Sequence, residues 1–174
     1  MTVADAPASI GTPTLAPALR PLTPADRGRV EAMVRATPLF RPDEIAVALE
    51  VFDGAASGSP DYLGAGADID GRLAGWICWG ATPCTLGTYD LYWLVVDPDV
   101  HGRGVGTLLI REMERRLAGT ARLIVVETAG RSDYAGTRAF YEARGYRRTA
   151  TIPDFYAPDD DLVVYVKALT TLAR

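Results

Sequence analysis

The stretch Leu94-Val95-Val96-Asp97-Pro98-Asp99-Val100-His101-Gly102-Arg103-Gly104-Val105-Gly106-Thr107 carries the densest chemistry in the chain. An apolar, β-branched run leads into a glycine-rich loop, and the loop leads into an amphipathic repeat. A strand–loop–helix join of this kind points several backbone N–H groups and the positive end of a helix at one place. Glycines let such a backbone approach an anion closely and take positive φ where a turn needs it. The chemistry implied is the holding of a phosphate or pyrophosphate. No Gly-Lys-Ser or Gly-Lys-Thr follows, so the loop is not a P-loop. The alternating Gly102-x-Gly104-x-Gly106 also differs from the Gly-x-Gly-x-x-Gly of dinucleotide folds, which follows the first strand. Three alternating glycines exceed what a tight turn requires.

Other residues could move protons or hold a cation. Asp90 opens the strand that leads to the loop, and Glu127 follows Val125 and Val126 in a later apolar run. A carboxylate in such a run is costly to bury unpaired, so it faces a cleft or a partner. For both, a structural hydrogen bond or ion pair is the alternative. Further on, Asp154 and Asp159-Asp160-Asp161 accompany Phe155, Tyr156 and Pro158. That combination suits a cationic amine, and also suits a solvated turn. His101 is the one histidine and reads as a loop residue. Cys84 has no base near it in sequence, which argues against a covalent acyl-cysteine.

The elements that must position these groups follow from periodicity. Residues 1–18 are dominated by Ala, Pro and Thr and read as a disordered arm, with one domain over 19–174. Leu19 to Leu22 reads as a short strand. Thr23-Pro24 is an N-cap with proline at the first helical position, opening a helix over 24–36. Pro42 opens a second helix, which the small-residue loop from Gly54 to Pro60 ends. Strands over 62–69 and 73–79 flank Asp70-Gly71, a two-residue hairpin signal. A strand over 89–96, a helix from Gly104 and a strand over 122–128 come next. A helix over 135–144 is stopped by Gly145, and strands over 146–152 and 162–169 close the chain.

Composition narrows the field. The chain has 174 residues, with 18 Lys and Arg against 22 Asp and Glu, a net charge of −4. That balance disfavours a nucleic-acid partner, which needs a basic face. No apolar run approaches the roughly 20 residues of a membrane span, and the N-terminus lacks a secretory pattern. Two cysteines and one histidine exclude a disulfide framework and a multi-histidine metal centre, so no metal is expected. A cytoplasmic setting is the default.

The motif His101-x-x-Gly104-x-Gly106 after Val96-Asp97-Pro98 resembles the acyl-CoA pyrophosphate loop of the GNAT acyltransferase superfamily. Phe140-Tyr141-Glu142-Ala143-Arg144-Gly145-Tyr146 is similar to that superfamily's late helix-to-strand motif. The runs 87–93 and 154–156 look like a pattern recurring in stand-alone bacterial members. The resemblance implies an α/β (α+β) fold: a central mixed, mostly antiparallel sheet of six to seven strands with a splayed parallel pair, flanked by about four helices. It implies acetyl-CoA as co-substrate. Its pantetheine arm would pair with Leu94, Val95 and Val96 like an added strand. Its pyrophosphate would sit on the N–H groups of Gly102, Arg103, Gly104, Val105, Gly106 and Thr107, with Arg103 adding charge. His101 stands where relatives often carry Gln or Arg, and Tyr134 where they often carry a CoA-contacting Asn.

The resemblance further implies acyl transfer to an amine. An ammonium with pKa near 10.4 must first lose a proton, and Asp90 and Glu127 are the candidate bases, acting directly or through water. A backbone N–H of Val95 or Val96 would hold the oxyanion. Tyr141 would be the general acid for the thiolate; packing as core is its alternative. The expected acceptor is a small-molecule amine. A protein lysine or N-terminus, or a non-catalytic acyl-CoA sensor, are the alternatives, and a homodimer is compatible with either.

Overall fold

A computed structural model describes residues 15–169. Seven strands form one sheet in the order β1-β2-β3-β4-β5-β7-β6. They are β1 (Ala18–Arg20), β2 (Leu63–Ile69), β3 (Arg72–Ala81), β4 (Thr88–Val96), β5 (Leu123–Ala129), β6 (Arg147–Ala157) and β7 (Asp160–Ala168). Four α-helices cover it: α1 (Arg27–Ala36), α2 (Pro42–Ala56), α3 (Val105–Leu117) and α4 (Ala135–Glu142). Every pairing is antiparallel except β4 with β5. The element order and the mixed sheet are those expected from the sequence.

Local chemistry accounts for most joins. Asp70 (φ 53°) and Gly71 (φ 74°) both take positive φ, as a hairpin turn that matches the strand twist requires. The Thr23 N–H donates to Asp26 Oδ2 at 2.9 Å, which anchors the short 3-10 turn leading into α1. One core lies between the sheet and α3, built on Leu109, Ile110, Met113 and Ile124. The other lies between the sheet and the α1–α2 pair, built on Val30, Met33, Phe52 and Trp76.

Three boundaries differ from expectation. Helix α2 runs to Ala56, two residues past Gly54, because alanines favour helix over loop. Strand β6 continues to Ala157 instead of ending at Ile152. Asp154 adopts φ 53°, a conformation Asp tolerates, and it marks a register shift against β7. Its Oδ1 accepts the Asp159 N–H at 2.7 Å, and its own N–H donates to Asp161 Oδ1 at 3.1 Å. The long acidic connection thus shrinks to a turn at Pro158 and Asp159. Most of the expected arm, residues 1–14, lies outside the described residues; Ala18 already belongs to β1.

The sheet opens where the site must be. The β4–β5 pairing ends at Leu91 with Val126, although β4 runs on to Val96 and β5 to Ala129. Tyr92 is the extra residue opposite the Cys78/Trp79 step, and such a bulge bends its strand. Gly75 seats the start of α3. A Cβ there would lie 2.7 Å from Val105 Cγ1 and 2.9 Å from the Val95 carbonyl. Arg29 of α1 clamps the far end of β4 through an ion pair to buried Asp97 and a 3.0 Å bond to the Leu73 carbonyl.

Candidate active site

A cleft of about 1180 Å³ enters the sheet at this opening. It is lined by the loop before α3, the free halves of β4 and β5, the start of α4 and the α1–α2 connection. Its volume exceeds the usual range for a single small ligand. Of the catalytic and co-substrate-binding residues expected at the site, all but Arg103 line it.

At one end the backbone supplies the chemistry. Gly102 and Gly104 have φ of 79° and 84° with open space where a Cβ would go, so the glycines are needed for conformation. Gly106 is needed for space: a Cβ there would come 3.1 Å from the Phe140 ring. The Leu108 N–H bonds to the Gly104 carbonyl at 2.9 Å, so Leu108 is the first amide satisfied inside α3. The preceding N–H groups, from Gly104 to Thr107, have no backbone acceptor among the described residues. This is an anion cradle with partial positive charge behind it. The His101 and Arg103 N–H groups are spent within the loop, each at 3.3 Å.

Side chains refine this end. The His101 ring is exposed, with Nε2 3.1 Å from the Val96 carbonyl; it staples the loop to the strand. Arg103 donates to the Leu15 carbonyl at 3.1 Å, which takes its charge away from the cleft. Arg144 stands nearer. Its guanidinium stacks 3.4 Å from the Phe140 centroid, donates to the Phe140 carbonyl and to Thr107 Oγ1, and has a buried Nε with no partner among the described residues. Burial, then the charge of Arg111, holds it below the usual arginine range. In the sequence Arg144 stands only as part of the 140–146 motif; its one signal is a basic residue one turn after Phe140.

The middle of the cleft is the strand opening. The Asp97 N–H donates to Ala74 of β3 at 2.8 Å. Strand alternation then turns the Val95 amide toward β3, and the Val96 and Leu94 amides toward β5. Of the two oxyanion donors expected, Val96 has the required direction. Asp90 Oδ2 accepts from Thr82 Oγ1 at 2.8 Å. Asp90 pairs in register with Val125, and Glu127 shares Val125's face two residues on. Glu127 is open to the cleft. Desolvation, then the charge of Asp90, pushes its carboxyl above the ordinary glutamate range.

Tyr141 is packed as core and also borders the cleft. Its ring is 4% exposed and packs edge-on against Phe140 and Tyr146 at 5.3 and 5.6 Å, yet the residue lines the cleft. Tyr146 and Tyr165 are tied to Glu114 and Glu142; Tyr141 has no such tie among those bonds. Burial pushes its phenol well above the usual value, so the proton is retained.

The far end is assembled from distant segments. Tyr134, half-buried, donates to the Leu39 carbonyl at 3.4 Å. Tyr156 lines the cleft from β6, and Glu44, Arg131 and Asp160 line it from three other elements. Of the acidic triplet, Asp160 reaches the cleft wall, whereas Asp159 and Asp161 are absent from it. Trp93 also lines the cleft, while Trp76 and Trp79 are core. No group of three or more metal-ligating side chains occurs among the described residues, and no helix there is long and apolar enough to cross a membrane.

The sequence profile described as the acetyltransferase (GNAT) family matches residues 31–146. A crystal structure of a GNAT-family acetyltransferase from Desulfovibrio desulfuricans is 38% identical, with a TM-score of 0.82, over 89% of this chain and 100% of that one. An aminoglycoside 6'-N-acetyltransferase complexed with coenzyme A has a TM-score of 0.74 at 17% identity, over 90% and 99% of the two chains, which shows a shared fold. The L-2,4-diaminobutyric acid acetyltransferase of Nocardia farcinica is 30% identical over 54% of each chain. The chain spans between 52% and 63% of the length of the curated relatives it matches.

Proposed function

This chain belongs to the acetyltransferase (GNAT) family, and on that premise we propose that it moves an acetyl group from acetyl-CoA to the primary amine of a small molecule, by direct attack in a ternary complex. The observation that carries the reading is one continuous cleft with uncovered α3 amides at one end, a strand opening in the middle and an acidic, aromatic far end. The residues fit the co-substrate. The amides of Gly104 to Thr107 receive the pyrophosphate, with Arg144 supplying the cation first sought at Arg103. Leu94 and Val96 turn their polar groups into the opening, where an extended pantetheine arm can pair with them.

Each proton and bond then has a place. Glu127, assisted by Asp90, accepts the ammonium proton, and its raised pKa brings it closer to the working pH of a base. The amine nitrogen forms the C–N bond as the C–S bond breaks, and the second proton it sheds restores the Tyr141 phenol through solvent, so that the one proton released overall is the one Glu127 took. The Val96 N–H faces the oxygen that gains charge. Tyr141 supplies a proton to the departing sulfur, and its raised pKa keeps that proton in place until it is needed. His101 has no step; its ring holds the loop.

Thermal unfolding with added ligand tests the reading. Acetyl-CoA at 100 times its dissociation constant adds about 2.7 kcal/mol, a rise of several degrees for a domain of this size. NAD and ATP are expected to leave the midpoint unmoved. A melt insensitive to acetyl-CoA contradicts the proposal.

A further inference from the structure

We propose that Asp160 forms a second ammonium subsite, so that the favoured acceptor carries two amino groups, one acetylated beside Glu127 and one kept protonated on Asp160. The inference rests on the acetyl-transfer reading and specifies its acceptor.

Asp160 opens β7 and is 4% exposed, yet it stands in the cleft wall. Its Oδ1 is buried with no hydrogen-bond partner among the described residues. Its Oδ2 lies 3.5 Å from Arg131 Nη1, at the long limit of a bond, while Arg131 makes shorter ones to the Leu39 carbonyl (3.0 Å) and Asp133 (3.1 Å). A buried carboxylate left this incomplete is costly without a further donor, and an ammonium brings three.

The surroundings favour a cation. Tyr156 is pushed up to about 12 by burial first, then by Glu127, with Tyr134, Asp160 and Glu44 adding to it. Three carboxylates from α2, β5 and β7 therefore act on one phenol. Two aromatic rings, Tyr134 and Tyr156, line the cleft beside them, and Tyr134 already holds one cation, the Arg131 guanidinium, 4.9 Å from its centroid. Arg131 divides its one charge between Asp133 and Asp160, and with Arg41 the cations of this end number two against the three carboxylates Glu44, Asp133 and Asp160, so negative charge stays in surplus.

The subsite is separate from the point of transfer. Ala129 pairs with Leu162. Two residues from Glu127 to Ala129 and two more from Leu162 to Asp160 give roughly 13 Å along the strand, at ~3.3 Å per residue. Side chains close part of that distance, and a linear diamine closes the remainder.

The test compares 1,4-diaminobutane with butylamine as acceptors, measuring CoA release from acetyl-CoA by the full chain. The wild-type protein is expected to favour the diamine in kcat/KM by at least about tenfold, the scale of one charge-assisted contact. Asp160→Asn is expected to bring that preference toward one. No diamine preference in the wild type, or an undiminished preference in Asp160→Asn, overturns the subsite. Should Asp160→Asn not fold, the wild-type preference alone decides. Calorimetric titration of the CoA-loaded protein separates the two readings. Diamine binding without CoA release keeps the subsite and counts against acetyl transfer; release from butylamine without a diamine advantage does the reverse. Failure of 1,4-diaminobutane to bind at all overturns the subsite.

Discussion

The two ends of the cleft are built by opposite means. The cradle end comes from one short segment and works through its backbone: two glycines at positive φ, one glycine against Phe140, and amides that α3 leaves unused. The acceptor end gathers side chains from α2, β5, β6, β7 and the turn before α4. The first is a local property of the chain, set by its backbone. The second exists only once the sheet order β5-β7-β6 has formed, and each of its carboxylates can be altered singly. On the proposed function, recognition of the co-substrate is thus separated from choice of acceptor.

Substitutions at the two ends should fail differently. Glu127→Gln is expected to have the largest effect, lowering kcat/KM by about a hundredfold, within the usual contribution of a general base, while acetyl-CoA still raises the melting temperature. The same change should stabilise the protein at neutral pH. Glu127's folded pKa lies above its ordinary 4.5, so the fold favours the protonated form. Its contribution is full below 4.5 and is lost as pH rises through the folded value. Glutamine, which cannot ionise, escapes that loss. For the same reason the acid limb of the wild-type rate profile should lie above the ordinary glutamate range and should vanish in Glu127→Gln. A variant that keeps wild-type turnover places the base elsewhere.

Tyr141→Phe comes next, with kcat down by at least about tenfold and KM for both substrates little changed. Unaltered turnover across pH removes the phenol from the chemistry and leaves it as core. At the cradle, Gly104→Val forces a β-branched residue to φ 84°, costing roughly 1–2 kcal/mol. Acetyl-CoA affinity should fall about tenfold, whereas the ratio of rates between amines stays constant. A changed amine ratio breaks the separation of the two ends. The smallest effect is expected at Arg103→Ala, within about twofold in acetyl-CoA affinity, because that side chain is spent on the Leu15 carbonyl. A large loss there restores Arg103 to the phosphate site.

The same contrast explains what could be read before the fold was known. The order of elements, the Asp70-Gly71 hairpin and the glycine cradle are encoded within short windows, where periodicity and turn chemistry act. Glu127 stands out because a polar group in an apolar run needs a reason, Asp90 because it opens the strand that leads into the loop, and Tyr141 only through the resemblance of its motif. Sequence adjacency cannot say which way Arg103 turns, and Arg144 meets Thr107 and the loop only in three dimensions. The 154–161 segment read as a loop because aspartates disfavour strands. Tertiary pairing with β7 overrode that preference and left Asp160 alone of the triplet in the cleft wall. Whether Val95 or Val96 faces the opening became decidable only from the Asp97–Ala74 bond.

Acetyl transfer by this cleft is tested most directly by incubating the purified protein with acetyl-CoA and a panel of primary amines, quantifying free CoA and acetylated product together. The account predicts equimolar CoA and N-acetyl product with at least one amine, and loss of both in Glu127→Gln. Tight acetyl-CoA binding with no product from any amine would contradict it, and would mark the cleft as a site that binds acetyl-CoA without using it.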